Sequence, residues 1–362
     1  MLALLLALSS DCTGLVPPVP LPAPVQVSAG SPSDSCALLS VDGSGDVAAL
    51  RNALGVFFAS DGTALGTSDQ DLVLIGTPAQ ARGWYGMRFS GSGAQGVTLV
   101  YAADRDGTLL GQTQIPNDPG SQGSSLQRDP RGGLVLFSMR RDGGGWVVDV
   151  RHFSSQAALV DGPLTIASGK GAPPPGYEWQ GRVAADGSLL LTLQGTHVPP
   201  LRNNQLVARW FDPAGAPLTP WFVALDQTTE GGQMLALPGG GMALWGDSGQ
   251  VAIRPGETAV SATPPWIPAD RYRWGSFPAY VLPDRIAIPR TSFSPCEEQL
   301  DILAPAGNLC GTLHFPMPAF GGVCRAGFGP AVAADGTVVQ DRYDADSCRL
   351  RWWPQLLHGQ VR

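Results

Sequence analysis

Short stretches of alternating apolar and polar residues, each ending at a glycine or an Asp-Gly pair, run along most of the chain. This is the pattern of half-buried β-strands separated by tight turns, and helical segments with a 3.6 period are nearly absent. The clearest copies are RVAADGSLLLTL at 182–193 and AVAADGTVVQDR at 331–342, where an apolar segment meets Asp-Gly and then resumes. Related turns stand at 90–101, 129–139, 237–245 and 282–289. A second series alternates with the first: FFASDGTALG (57–66), VYAADRDGTLLG (100–111), ARWFDPAGAPL (208–218), LWGDSGQVAI (244–253) and DILAPAGNLCG (301–311), with RHFSSQAAL (151–159) as a copy lacking glycine.

Two hairpins recurring every 40 to 55 residues or so predict four-stranded units, one series joining the inner strands and the other lying near the outer edge. Seven units follow, at 40–80, 82–125, 126–175, 176–225, 229–265, 277–315 and 324–356. The fold predicted is all-β, a β-propeller of about seven four-stranded blades, with six or eight left open. A four-stranded sheet with two apolar faces cannot bury both alone, whereas a ring of such sheets hides the faces and most edges. Residues 350–361 are expected to supply the last outer strand or to lie across the underside.

Composition strengthens the reading. Gly 47 and Pro 33 among 362 residues mark many turns, while 43% hydrophobic residues exclude a disordered chain. The net charge is −7 and Lys170 is the sole lysine, without any Lys/Arg run, so nucleic-acid binding is not expected. No apolar stretch approaches the ~18 residues of a membrane span.

Residues 1–12 read as a signal or lipoprotein-like segment: the apolar run Leu2–Leu8 precedes Cys12, a candidate lipid acceptor. No basic residue occurs before Arg51, which departs from the usual leader. Residues 13–35, rich in Pro and Ser, read as a tether, and 36–362 as the folded part. Four cysteines fall near the C-terminus. In an exported protein they pair most simply as Cys296 with Cys310 and Cys324 with Cys348, among three connectivities.

The recurrent Asp-Gly turns resemble those of the YVTN- and NHL-like superfamily of secreted bacterial β-propellers. CEEQLDILAPAGNLCG at 296–311, ADGTVVQ at 334–340 and RWWP at 351–354 are similar to segments of uncharacterised lipoprotein-like proteins of myxobacteria. The resemblance covers most of 40–356. It implies a fold and an export route to the cell envelope or beyond, and it carries over no catalytic residue.

Candidate chemistry is sparse. His152, His197, His314 and His358 form no metal-binding spacing and are expected to be hydrogen-bonded or exposed. Asp104 and Asp106, the group Asp341, Asp344 and Asp346, and the DGSGD run at 42–46 are weak calcium candidates. Calcium takes six to eight oxygens, and a turn Asp bonds its own backbone, so no cofactor is expected. No GxSxG elbow or P-loop occurs. The better hint is aromatic: 264–280 holds Trp266, Arg271, Tyr272, Arg273 and Trp274, and a second loop, GTHVPPLRNNQ at 195–205, holds His197. Trp, Tyr and Arg anchor interfaces or stack on sugars, and the same rings also serve as packing between sheets. The expected function is a secreted or envelope-tethered binding or scaffolding module, monomeric, presenting loops on one face to a protein or glycan. Alternatives are a hydrolase or lyase with its site in the central funnel, and a purely structural surface protein.

Overall fold

Short apolar runs with tight turns between them pair with their neighbours in the chain, and antiparallel sheets made in this way build the protein. The computed structural model describes residues 12–17, 20–30, 36–51, 54–68, 74–75, 83–90, 96–116, 123–176, 178–202, 204–226, 233–237, 241–246, 249–262, 280–293, 296–304, 308–316, 319–320, 323–324, 330–344 and 347–358. After β1 (Val25–Gly30), the first sheet holds β2 (Cys36–Val41), β3 (Val47–Arg51), β4 (Leu54–Phe58) and β5 (Ala64–Ser68). The second holds β6 (Leu74–Ile75), β7 (Trp84–Ser90), β8 (Val97–Ala103) and β9 (Leu109–Pro116). The third holds β10 (Ser124–Arg128), β11 (Leu134–Asp142), β12 (Gly145–Phe153) and β13 (Leu159–Lys170). The fourth holds β14 (Trp179–Val183), β15 (Leu189–Gln194), β16 (Leu206–Phe211) and β17 (Phe222–Leu225). The fifth holds β18 (Gln233–Ala236), β19 (Met242–Gly246), β20 (Gly249–Ile253) and β21 (Ser261–Ala262). The sixth holds β22 (Tyr280–Val281), β23 (Ile286–Phe293), β24 (Cys296–Leu303) and β25 (Leu309–Pro316), and a short ribbon of β26 (Ala319–Phe320) and β27 (Val323–Cys324) follows. The last is ordered β28 (Ala331–Val332), β29 (Val338–Asp344), β30 (Ser347–Trp353) and then β1. The architecture is thus all-β, its sheets resembling propeller blades. Among the described residues no helix is long and apolar enough to cross a membrane.

One turn chemistry recurs. At 42–46, 59–63, 104–108, 129–133, 154–158, 184–188, 212–216 and 333–337 the first N–H donates to the fifth carbonyl and the fourth N–H to the first carbonyl, at 2.8 to 3.2 Å. The fourth residue is always left-handed. It is glycine except at Ala157 (φ 56), which makes 151–159 a true copy of the repeat, as its sequence suggested. The turns 42–46, 129–133, 184–188 and 333–337 join first and second strands, while 59–63, 104–108, 154–158 and 212–216 join third and fourth. Both sets therefore lie at the same end of their sheets. Two sequence assignments change: 90–101 and 244–253 each join second and third strands, at the other end.

The chain divides into two compact units, Met1–Gly86 with Ala103–Leu109 and Phe277–Arg362, and Met87–Ala102 with Leu110–Ser276. In the second unit, alternate residues of β15 face opposite ways. Leu189, Leu191 and Leu193 meet Phe137 and Val148 of the third sheet, while Leu190 joins Trp210, Met242 and Leu244. A strand buried on both faces reads as a continuous apolar run, and each fully buried Leu stabilises by about 1.5–3 kcal/mol. In the first unit the last sheet is covered likewise, through Val339 and Trp352 on one face and Val338 and Trp353 on the other. Two buried aspartates are held in matching ways. Asp149 accepts from Arg140 Nε (2.8 Å) and Thr165 Oγ1 (2.7 Å), and at the same register of the sixth sheet Asp301 accepts from Arg290 Nη2 (2.5 Å) and Thr312 Oγ1 (2.6 Å).

The N-terminal segment departs most from expectation. Leu15 is buried among Leu282, Ala287 and Trp353, its carbonyl accepts from Arg285, and the carbonyl of Pro22 accepts from Trp353 Nε1 at 3.0 Å. Residues 12–17 and 20–30 are thus docked rather than a free tether, because they carry Leu and Val side chains that the sixth and seventh sheets leave room to bury. β1, not the C-terminal stretch, supplies the outer strand of the last sheet, and Ser347–Trp353 is its third strand. The preceding strap stands in for the missing outer hairpin. A Cβ on Gly66 would lie 2.5 Å from the carbonyl of Asp106 in the next sheet's turn, and one on Gly111 2.2 Å from that of Gln156. At the corresponding Gly311 the neighbour is Val16 of the strap. Beside it, Cys310 forms a disulfide with Cys12, 298 residues away. The pairing of Cys310 with Cys296 is thereby corrected, and a Cys12 sulfur held in this bond is not free to carry a lipid. Cys296 is also disulfide-bonded, and among the described residues no cysteine is free.

Candidate functional site

Trp266, Arg271, Tyr272, Arg273 and Trp274, nominated for ligand contact, lie outside the described residues, as does Asp346. Asp341 and Asp344 fall on β29, where only the backbone is described. Asp104 and Asp106 act as turn residues: Asp104 Oδ1 accepts from the N–H of Arg105 (2.7 Å) and Asp106 Oδ1 from that of Thr108 (2.9 Å). The Thr108 contacts hold the Asp106 carboxyl below its usual value. Among the described residues no group of three His, Cys, Asp or Glu could hold a metal ion. The DGSGD run is likewise structural. Asp42 Oδ1 accepts from Ser44 N, Ser44 Oγ and Asp46 N, and Oδ2 from Gly83 N, while buried Asp46 holds Ser60 N and the Arg105 guanidinium.

His197 is different. Two residues, Gly143 and Gly144, suffice to turn β11 into β12, yet the equivalent connection from β15 to β16 runs from Gly195 to Gln205. Its described part is built. Gly195 N donates to Gln205 O (2.8 Å), Val198 N to Gly195 O (3.0 Å) and Leu201 N to Val198 O (3.0 Å). The Gln205 side chain accepts from Arg202 N (2.9 Å) and donates to Asp226 Oδ1 (2.7 Å). Val198 and Leu201 pack on the core between the third and fourth sheets. Only glycine fits at 195, where a Cβ would lie 2.1 Å from the carbonyl of Arg202.

This framework sets His197 Nε2 2.7 Å from Glu178 Oε2 and the ring edge-on to Trp146, at 6.5 Å between centroids and 89° between planes. An ionised Glu178 requires the proton on Nε2, which leaves the lone pair on Nδ1. Nδ1 has no hydrogen-bond partner among the described residues, and both side chains are only part-buried. The arrangement can accept a hydrogen bond from a ligand hydroxyl or amide, or take up a proton. Glu178 was missed from sequence. The signal was the Asp186–Gly187 turn, whose hairpin pairs Trp179 with Leu193 and so brings Glu178 beside the residues just before His197. Of the other histidines, His314 Nδ1 meets Glu297 at 3.0 Å, and His152 departs from expectation because its Nε2 is buried without a partner.

No protein-family model matches the chain, and no curated protein matches it. Among solved structures the chain is similar to BamB from Moraxella catarrhalis, at 11% identity and TM-score 0.39, covering 87% of this chain and 82% of that one. It is also similar to a mutant apocarotenoid oxygenase of Synechocystis (12%, TM-score 0.39, 77% and 72%) and to the polysaccharide lyase Uly1 (10%, TM-score 0.39, 89% and 78%). Likeness at this level assigns neither a family nor an activity.

Proposed function

We propose that the sheets close into a seven-bladed β-propeller related to the YVTN- and NHL-like secreted proteins. It works outside the cytoplasm, free or envelope-associated, as a binding or scaffolding module for a protein or glycan. The identical strand order of the seven four-stranded sheets, with β1 completing the last, supports closure. The Cys12–Cys310 disulfide supports an oxidising compartment. The observation that carries the binding reading is the loop 195–205: a built, part-exposed connection, far longer than the turn needs, holding an imidazole with one nitrogen unused.

Scattering from a closed, compact chain gives a radius of gyration of about 21 Å, and a much larger value opposes closure. Binding is tested on a glycan array, followed by titration of each bound glycan. His197→Ala, Trp274→Ala and Arg273→Ala are expected to weaken binding by about tenfold or more with unchanged melting temperature. Variants that unfold, or that bind as well as the parent, overturn the reading. The Glu178–His197 pair itself favours a second reading, hydrolase or lyase chemistry, since a carboxylate-oriented imidazole is a general base. Turnover of a bound glycan that His197→Ala abolishes without loss of affinity would select it.

A further inference from the structure

At the hairpin end of the third and fourth sheets lies an open cleft of about 580 Å³. Its floor and walls come from the 129–133 turn, the end of β12 at His152, the start of β13 at Asp161, and the 212–216 turn. It is separate from the His197 loop: Trp146 and His152 lie at opposite ends of β12, six residues or about 20 Å apart. The charges in it are unequally matched. Arg131 is neutralised by a forked contact with Asp129 (Nε–Oδ1 2.9 Å, Nη2–Oδ2 2.6 Å). Asp212 Oδ1 accepts from the N–H groups of Ala214 and Ala216, and Asp161 Oδ1 from that of Gly162. The second oxygen of each accepts no hydrogen bond among the described residues. His152 Nε2 is buried without a partner. Burial holds that ring below its ordinary pKa, so at neutral pH it adds no positive charge.

The molecule itself shows what fits between two such turns. In the first and second sheets the corresponding pair is 42–46 and 104–108, and there the second residue of the outer turn, Arg105, reaches across. Its guanidinium caps Asp46 at 2.9 and 3.1 Å. In the 212–216 turn the same position is Pro213, which cannot reach, and the counterpart of Asp46 is Gly133; the space stays open, with Asp161 and Asp212, the latter the counterpart of Asp104, as its unmatched carboxylates.

We propose that the cleft between the 129–133 and 212–216 turns is a ligand site for a cationic group, a guanidinium or ammonium, taken up by Asp161, Asp212 and His152 in the place that Arg105 fills elsewhere in the chain. The probe is Nα-acetyl-L-arginine amide, whose sole charge is the guanidinium, with Nα-acetyl-L-citrulline amide as its uncharged isostere. The readout is the His152 ring resonances of ¹³C-histidine-labelled protein, assigned through His152→Gln. A saturable shift confined to His152 is expected at millimolar acetylarginine amide, with acetylcitrulline amide at least about tenfold weaker. Asp161→Asn and Asp212→Asn each keep the turn's acceptor oxygen and are expected to weaken binding by about three- to tenfold. Pro213→Arg restores the residue of the first two sheets, fills the cleft from within, and abolishes binding. Equal response to both probes, no response, or undiminished binding by Pro213→Arg overturns the proposal.

Discussion

The Asp42 side chain offers the sharpest quantitative test of how the turns are held. Its carboxylate is fully buried and accepts four hydrogen bonds, from Ser44 N (2.8 Å), Ser44 Oγ (2.9 Å), Asp46 N (3.0 Å) and Gly83 N (3.1 Å). In Asp42→Ala the N–H groups of Asp46 and Gly83 are left buried and unpaired, at about 1–3 kcal/mol each, while the half-buried Ser44 donors turn to water. Relief from burying a charge offsets part of this. The net loss is about 3 kcal/mol, which for a chain of this length lowers the melting temperature by roughly 4 °C. Asp42→Asn keeps the Oδ1 acceptor and turns an amide N–H toward Gly83, so it should lose less than half as much. Scanning calorimetry at neutral pH reads both. A melting temperature for Asp42→Ala within about 1 °C of the parent, or Asn no better than Ala, refutes acceptor-by-acceptor support. The pH dependence supplies the sign. Burial, the largest cause, raises the Asp42 pKa, so the folded state binds the proton more tightly than the unfolded one. The parent therefore gains on Asp42→Asn as pH falls through the carboxylate range, and this contribution is lost as pH rises through the folded-state value.

Three further outcomes are expected. Gly107→Ala combines left-handed strain with a Cβ 2.3 Å from buried Phe57 and should cost about 2–4 kcal/mol, whereas Gly132→Ala, with nothing within 4 Å, should cost only about 1 kcal/mol by thermal unfolding. Cys310→Ser releases the strap and should lower stability by about 2–5 kcal/mol, with the parent in dithiothreitol melting at or below the variant; a Cys12–Cys310 peptide in a non-reducing digest checks the bond. Burial depresses the His152 pKa, with Asp129 and Asp161 favouring the charged form and Arg131 opposing it. As pH falls from about 6.5 the unfolded chain takes up the proton first, so stability present above that pH is lost below it. His152→Gln should flatten this part of the melting profile.

Much of the architecture was legible because its signals are local. A turn needing a left-handed fourth residue calls for glycine, and an Asp beside it accepts from the backbone N–H two residues on, so DG recurs through the hairpins. Even 151–159, with Ala157 in place of glycine, betrayed itself by the apolar runs on either side. The failures are all of reach. Ser and Pro around Leu15 and Val25 read as tether because nothing local reveals that the sixth and seventh sheets leave an outer edge for them. Cys310 paired most simply with Cys296 in the sequence, yet the strap delivers Cys12 to it. Glu178 and His197 sit in segments that sequence treats separately, and only the β14–β15 register brings them to 2.7 Å.

By itself, then, the sequence determined strand, turn and recurrence, since these depend on side-chain alternation and on dihedral preferences within a few residues. Tertiary structure alone decided which strand completes the last sheet, which cysteines bond, which carboxylate meets His197 and which pair of turns leaves a cleft. Those outcomes depend on distances between residues tens to hundreds apart, set by how one sheet's apolar face beds on the next.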